Sequence, residues 1–171
     1  EQLFSQRYSC PICDYALTEM EPRLFSFNSP IGACPSCDGL GVTQFFDPKR
    51  VVTKPEASLA AGAVRGWDRR NAYYFQLILS LSRHYGFDVD TPWNQLGEKA
   101  QQAVLYGSGG EPISFTYLTE SGVRAQRKHA FEGIIPNLQR RYRETESPMV
   151  REELSRYISE RPCPGCDGQR L

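Results

Sequence analysis

Apolar side chains in the middle of the chain recur every three or four residues, the spacing of one face of a helix. They are Tyr74, Ile78, Leu81 and Tyr85. Asp68 or Asn71 can cap the start of this helix, and Gly86 is placed to end it. A second helix is predicted over residues 98–106, because the glycine-rich run 107–110 stops the pattern there.

Extended structure is predicted in two other parts of the chain. Apolar and polar residues alternate over 113–117, which predicts a strand, and 119–122 suits a hairpin turn into a returning strand over 123–128. Residues 21–30, which are bounded by prolines, are also predicted to be extended.

Two more helices are predicted towards the end of the chain. Pro136 fits the first turn of one of them. Ser147 followed by Pro148 is an N-cap and first-turn pair that begins the other. The apolar face of this last helix is Val150, Leu154, Tyr157 and Ile158. We expect Arg161 and Pro162 to end it, because proline interrupts the hydrogen bonding of a helix.

Length and charge narrow the class of protein. A chain of 171 residues can form one domain with a core, or one domain on a small metal-braced base. Its 20 Lys and Arg balance its 20 Asp and Glu, so a surface for nucleic acid must be local. No apolar run approaches the about 18–20 residues of a membrane span and no signal peptide opens the chain, so we expect no membrane partner. The first residue is Glu1 rather than Met, which suggests a piece of a longer or processed protein.

All six cysteines fall in three Cys-x-x-Cys pairs, in which a tight turn aims two thiolates at one cation. The first, second and third pairs are Cys10 with Cys13, Cys34 with Cys37, and Cys163 with Cys166. Disulfides or a redox motif are alternatives, but secreted disulfide frameworks usually spread their cysteines singly. The spacing favours structural zinc, and with it a reducing, cytoplasmic compartment.

Two pairings of these turns are physically possible. The first and second pairs together give a sequential zinc finger, whose short loop is closed at modest cost. The second and third pairs instead join both ends of an inserted domain, which brings its own ends together when it folds. We favour this arrangement, because the second and third turns are near-copies, Cys-Pro-x-Cys-Asp-Gly. Either pairing leaves one pair to ligands outside the chain or to another role.

The fold class predicted from these elements is α+β. A small insertion domain of helices and a hairpin, residues 47–160, is mounted on a cysteine-knuckle zinc module. The first part of that module is residues 1–46, and its closing part is residues 161–171.

Longer strings around these turns resemble one protein family. They are Cys-Pro-Ile-Cys-Asp-Tyr at 10–15, Glu-Pro-Arg-Leu-Phe-Ser-Phe-Asn-Ser-Pro at 21–30, Ala-Cys-Pro-Ser-Cys-Asp-Gly-Leu-Gly at 33–41, Arg-Gly-Trp-Asp-Arg-Arg-Asn-Ala-Tyr-Tyr-Phe-Gln at 65–76 and Arg-Tyr-Arg-Glu-Thr-Glu-Ser at 141–147. Over essentially the whole chain, the sequence resembles UvrA, the damage-sensing ATPase subunit of bacterial excinuclease ABC.

The resemblance implies the zinc-binding region and insertion domain of the N-terminal half of UvrA. Such a module helps to engage double-stranded, damaged DNA in nucleotide excision repair, within the SOS response. The parent protein is expected to be an ABC-type ATPase that binds ATP, with UvrB and a second UvrA subunit as its partners. The present sequence has no Gly-x-x-x-x-Gly-Lys-Ser/Thr loop, no Leu-Ser-Gly-Gly signature and no Walker B motif, so we expect this part not to be an enzyme.

The resemblance also bears on the cysteine pairing. The C-terminal half of UvrA carries one Cys-x-x-Cys-x-Gly-x-Gly string and one Cys-x-x-Cys-x-Gly-x-Arg string. Here they correspond to the second pair with Gly39 and Gly41, and to the third pair with Gly168 and Arg170. This supports one zinc shared by the second and third pairs, with the first pair as a half-site. The sequential finger remains the alternative.

Basic side chains are the candidate DNA contacts, because a damage sensor of this family can rely on phosphates and duplex deformability. One cluster lies within 121–143, where the only acid is Glu132; its members are Arg124, Arg127, Lys128, Arg140, Arg141 and Arg143. A second cluster near Trp67 consists of Arg65, Arg69 and Arg70. The ordinary alternative for both clusters is a solvated face or internal ion pairs, for the second cluster with Asp68.

No catalytic arrangement of side chains stands out, and His84 and His129 have no ligand-like partners in the sequence. The aromatic residues expected to pack in the core rather than to stack on bases are Trp67, Tyr73, Tyr74, Phe75 and Trp93. The alternative function is an architectural or protein-interaction module that positions the ATPase halves.

Overall fold

The computed structural model describes residues 21–118, 122 and 124–171. These residues form two compact units. One combines 21–45 with Glu160–Leu171, and the other is Phe46–Ser159. We call them the knuckle unit and the inserted unit.

Helices and small sheets make up the described part of the chain, which confirms the α+β class. The helices are α1 (Pro48–Val51), α2 (Ala72–Tyr85), α3 (Glu98–Tyr106), α4 (Ile134–Glu144) and α5 (Pro148–Ser155), with 3-10 turns at Pro22–Phe25 and Trp93–Gln95. The strands are β1 (Val42–Phe46), β2 (Pro112–Leu118), β3 (Arg124–Ala130) and β4 (Ile158–Pro162). β1 pairs with β4, and β2 pairs with β3.

Helix α2 begins and ends at the predicted capping residues. The side chain of Asn71 accepts a hydrogen bond from the N–H of Tyr74 at 3.2 Å, so Asn71 rather than Asp68 is the cap. Gly86 closes the helix in the left-handed conformation, with φ 71°. Helix α3 also has its predicted bounds, Glu98–Tyr106.

Strands β2 and β3 form the predicted antiparallel hairpin. Ile113 and Phe115 on β2 are fully buried, and α2 packs against this strand. Because side chains alternate across a strand, the residues opposite Ile113 and Phe115 share the packed face and their neighbours on β3 point the other way. The predicted turn at 119–122 lies largely outside the described residues.

The last helix is shorter than predicted. Ser147 caps it as expected, but α5 ends at Ser155 and the next residues form β4, so the expected end at Arg161 and Pro162 is wrong. The carbonyl of Tyr157 accepts the N–H of Asp47 at 2.9 Å, and pairing with β1 then replaces helical hydrogen bonds. Residues 21–30 also differ from prediction, because Pro22–Phe25 is a 3-10 turn rather than extended.

The apolar core of the described residues lies in the inserted unit. Its fully buried members are Leu59, Ile78, Leu81, Val104, Ile113, Phe115 and Ile134. Trp67 and Trp93 are buried in it, as predicted, and Tyr74 and Phe75 pack against it. Tyr73 was predicted to be a core residue and is not, since it is 60% exposed on the first turn of α2. None of the described helices is both long and apolar enough to cross a membrane.

Candidate metal centre and nucleic-acid interface

Four cysteine sulfurs lie together in the knuckle unit. The Sγ atoms of the second and third pairs all lie within 4.8 Å of one another. Cys34 and Cys163 are 4.0 Å apart at sulfur, and Cys37 and Cys166 are 3.8 Å apart. Sulfurs at ~2.3 Å from a tetrahedral zinc ion would be separated by about 3.8 Å. The four side chains therefore fit a tetrahedral metal ion held by thiolates.

Each of the two cysteine turns contains three residues in the left-handed conformation. In the second pair's turn they are Asp38 (φ 51°), Gly39 (φ 75°) and Gly41 (φ 77°). In the third pair's turn they are Asp167 (φ 48°), Gly168 (φ 82°) and Arg170 (φ 74°). A side chain larger than glycine costs about 1–3 kcal/mol in this conformation, and it persists only where its surroundings enforce it. The two turns thus share one strained backbone path.

The two turns also exchange backbone hydrogen bonds. The N–H of Cys34 donates to the carbonyl of Arg170, and the N–H of Cys163 donates to the carbonyl of Gly41, both at 2.9 Å. Cys34 and Cys163 are 129 residues apart, and the carbonyl partners are related by the same offset. The site is therefore built from two equivalent halves that face each other.

Small residues allow the two turns to approach this closely. A Cβ atom on Gly41 would lie 2.9 Å from both the Cγ of Arg170 and the carbonyl oxygen of Gly168. A Cβ atom on Gly165 would lie 2.6 Å from the Oγ of Ser36. Sequence reasoning did not single out Gly165, although aligning the two turns places it at the position that Ser36 holds in the other.

Backbone N–H groups are directed at the sulfurs. They run from Gly41 to Cys37 (3.2 Å), from Arg170 to Cys166 (3.3 Å) and from Gly165 to Cys163 (3.4 Å). The N–H of Ser36 is the main cause that lowers the pKa of Cys34 to about 7; burial opposes it, and the other three cysteines add to it. Thiolates are the metal-binding form of cysteine, so these donors favour the ionised state that a cation requires.

Cys10 and Cys13 lie outside the described residues. The structure brings the second and third pairs together, which is the arrangement favoured from the sequence. The half-site assigned to the first pair stays a prediction.

The hairpin cations do not share one face. Arg127 lies opposite Phe115 in the register, and so on the face that packs against the protein. Arg124 and Lys128 lie on the other face. All three are exposed, and none joins an ion pair within the described part of the chain. The uncompensated surface of the hairpin is therefore Arg124 with Lys128, which we call the hairpin face.

Other predicted DNA contacts are occupied by carboxylates. Arg70 donates to buried Asp68 at 2.7 Å, and Arg69 donates to Asp90 at 2.8 Å. The hydrogen bond from Arg70 is the main cause that holds the pKa of Asp68 below its usual value. These two arginines support the inserted unit through the internal ion pairs that the sequence offered as the alternative.

The cations of α4 differ in their surroundings. Arg140 donates to Glu132 at 2.8 Å and to Glu144 at 3.4 Å, and Glu132 is the main cause that raises the pKa of Arg140. Arg143 is exposed, whereas Arg141 is half-buried in the wall of a cavity. The predicted cluster is therefore divided by the fold into paired and unpaired side chains.

Comparison with known proteins identifies the family. Residues 47–156 match the family model described as the UvrA DNA-binding domain. UvrABC system protein A of Xanthomonas axonopodis pv. citri is 72% identical over 169 residues, covering 99% of this chain and 17% of that protein. The same protein of Neisseria meningitidis serogroup B is 62% identical over 171 residues, covering 100% of this chain and 18% of that protein.

A solved structure agrees with these sequence matches. The crystal structure of UvrA2 from Deinococcus radiodurans superimposes with a TM-score of 0.60 at 27% identity, covering 86% of this chain and 19% of that one. The chain thus spans less than a fifth of the length of these relatives. The chain belongs to the UvrA DNA-binding domain family.

Proposed function

We propose that this chain is the zinc-stabilised, DNA-engaging part of the UvrA subunit of a nucleotide excision repair excinuclease. The observation that carries the proposal is the hairpin face, an exposed pair of cations without carboxylate partners in the described structure, within residues that match the UvrA DNA-binding domain. Cations of this kind bind DNA phosphates without reading bases. A damage sensor gains specificity from how the duplex deforms.

The whole protein supplies what this part lacks. Its relatives are UvrABC system protein A, and the proposal gives the parent protein an ABC-type ATPase, ATP binding, a cytoplasmic location, and UvrB and a second UvrA subunit as partners. The role of the present chain in that assembly is to present a cationic surface to double-stranded, damaged DNA.

The metal in the knuckle unit is proposed to be zinc. Four thiolates at tetrahedral spacing suit zinc, which supplies a rigid cross-link and no redox chemistry. Cys34, Cys37, Cys163 and Cys166 hold it, and the backbone N–H groups of the two turns stabilise their negative charge.

DNA binding is tested by removing the hairpin face. We expect the full chain, prepared with zinc, to bind a short fluorescein-labelled duplex with strong salt dependence. Arg124→Ala with Lys128→Ala should weaken binding about tenfold or more and flatten the salt slope by nearly two phosphate equivalents, at about 0.9 each. The measurement is fluorescence anisotropy across a salt series.

A matched control removes the same charge elsewhere. Arg83→Ala with Lys99→Ala changes two exposed cations on α2 and α3 and should leave the affinity near wild type. Wild-type affinity in the Arg124 and Lys128 variant would show that the hairpin face is the wrong surface. A wild-type chain without salt-dependent DNA binding would favour the architectural role instead.

Zinc stoichiometry tests the pairing of cysteines. We expect one zinc to survive Cys10→Ser with Cys13→Ser and to be lost on Cys163→Ser, measured by elemental analysis of the purified chain. Release of the only zinc by the Cys10 and Cys13 changes would establish the sequential finger in place of the shared site.

A further inference from the structure

Two adjoining cavities open on the inserted unit. One has a volume of about 170 Å³ and the other about 480 Å³. Both have Arg65, Glu153 and Tyr157 in their walls, so they form one continuous concavity. Its floor beside Arg65 is the buried indole of Trp67. We call this concavity the basin.

The basin is lined by five cations drawn from separate segments of the chain. They are Lys49, Arg50, Arg65, Arg141 and Arg156. The only carboxylate in its walls is Glu153. None of the ion pairs of the described residues includes any of these six side chains. In a chain of zero net charge, the fold has thus gathered positive charge into one concavity.

Neighbouring polar groups do not neutralise this charge. Asp47 is near Lys49, but its oxygens accept hydrogen bonds from the N–H of Lys49 at 2.9 Å and the hydroxyl of Ser159 at 2.8 Å. Arg50 reaches the carbonyl of Arg156 at 3.5 Å, which holds two of the cations side by side. Like charges packed in a concavity repel one another, and an anion is the partner that relieves the repulsion.

We propose that the basin binds the phosphate backbone of DNA, as a second contact beside the hairpin face. This inference rests on the proposed DNA-engaging function of the inserted unit. All five cations fall within residues 47–156, the stretch that matches the UvrA DNA-binding domain. A duplex offers a phosphate every few ångströms, so several cations of the basin have partners at once, whereas a single free phosphate occupies few of them.

The first test removes two cations that make no side-chain hydrogen bond or ion pair in the described structure, so that folding is spared. Lys49→Gln with Arg65→Gln should weaken binding of the fluorescein-labelled duplex about tenfold and lower the salt slope by nearly two phosphate equivalents. Arg83→Gln with Lys99→Gln is the control of equal charge. Lys99 lies near the ring of Tyr85, away from the basin.

The second test is a gain of affinity, which a folding defect cannot produce. Glu153→Gln removes the only carboxylate in the basin walls and should tighten DNA binding about threefold, since one repulsive charge is removed near several phosphates. Unchanged affinity in both Glu153→Gln and the Lys49 and Arg65 variant, with wild-type binding intact, overturns the basin.

The remaining outcomes separate the two proposals. Loss of binding in Arg124→Ala with Lys128→Ala alone would support the proposed function and overturn the basin. Absence of DNA binding by the wild-type chain overturns both. If Lys49→Gln with Arg65→Gln weakens binding of poly-glutamate but not of the duplex, the basin serves an acidic protein and the proposal fails. Equal competition by inorganic phosphate and by unlabelled duplex at matched phosphate concentration assigns the site to free phosphate and also overturns it.

Discussion

The two units bury different kinds of side chain. The inserted unit encloses aliphatic and aromatic residues, with Leu59, Ile78 and Phe115 at its centre. In the knuckle unit, the buried cluster of the described residues consists of the second and third cysteine pairs. Its large apolar side chains face outward: Phe25 is 65%, Ile31 64% and Leu40 68% exposed.

The contrast teaches how each unit is held together. Burial of apolar area stabilises the inserted unit, because each large side chain removed from water contributes about 1.5–3 kcal/mol. The knuckle unit has too little buried apolar area for that mechanism, and small segments of this kind depend on a metal or a cross-link. The stabilities of the two units should therefore be separable.

Removing the metal should have the largest effect and should be confined to the knuckle unit. Structural zinc contributes about 10–16 kcal/mol of apparent binding energy in small sites, so chelation or Cys163→Ser should unfold the turns at 34–41 and 163–170. The inserted unit should stay folded. Both tryptophans, Trp67 and Trp93, lie in the inserted unit, so their emission reports it alone, while hydrogen exchange reports the turns.

Ser36→Ala is the control for this experiment, because it changes the same turn without removing a ligand. A tryptophan emission that shifts to its unfolded value as the metal leaves would show a single cooperative structure. The contrast between the units would then be wrong.

A cavity in the inserted unit should give the converse result. Ile78 is fully buried, so Ile78→Ala should lower the free energy of unfolding by about 2–5 kcal/mol, and Ile78→Val by about 0.5–1.5 kcal/mol. Urea unfolding followed by tryptophan emission measures this. The metal content and the absorption of a cobalt-substituted site should not change, and loss of metal in Ile78→Ala would contradict separability.

Crowding the two turns should weaken the metal site by a smaller amount. Gly41→Ala forces a left-handed alanine against Arg170, at about 1–3 kcal/mol or more. We expect metal affinity to fall at least fivefold in competition with a chelator. Gly66→Ala is the matched control, because Gly66 has φ 83° with nothing within 4 Å of an added Cβ. Equal affinities in the two variants would show that the close approach does not matter.

Asp68→Asn should give the smallest effect, and one that depends on pH. The hydrogen bonds from Arg70 lower the pKa of Asp68 in the folded state, so its stabilisation is present above the unfolded pKa of about 3.9 and is lost as pH falls through the folded value. At neutral pH the variant should lose about 1–2 kcal/mol. The difference from wild type, measured by urea unfolding, should shrink on acidification.

Asp90→Asn is the companion variant. Its ion pair with Arg69 is exposed, so it should cost at most about 1 kcal/mol at any pH. A constant penalty for Asp68→Asn from neutral to acid pH would show that the charge of Asp68 does not contribute.

Local signals predicted most of the helices. Asn71 and Gly86 bound α2, and Ser147 caps α5, because caps depend on residues a few positions away. The end of α5 was missed because pairing between β1 and β4 decides it, and those strands are far apart in the sequence. The pairing of Arg69 with Asp90 was equally hidden, since it requires the folded chain.

The candidate sites show the same division. Cysteine spacing and the near-copy turns predicted which sulfurs meet, because each turn carries its geometry locally. The hairpin face could have been refined from the sequence. Arg124 and Lys128 have the same parity in the strand and Arg127 has the opposite one, which already separates their faces. The basin could not, because its cations come from segments that only the fold brings together.

The separation of 129 residues between facing cysteines also orders events during synthesis. A ribosome adding about 5–20 residues per second delivers Cys163 on the order of ten seconds after Cys34. Throughout that interval Cys34 and Cys37 have no partner from the third pair, while the inserted unit emerges and has time to fold. The four-sulfur site therefore closes last, and its closure marks the completion of the domain made in between.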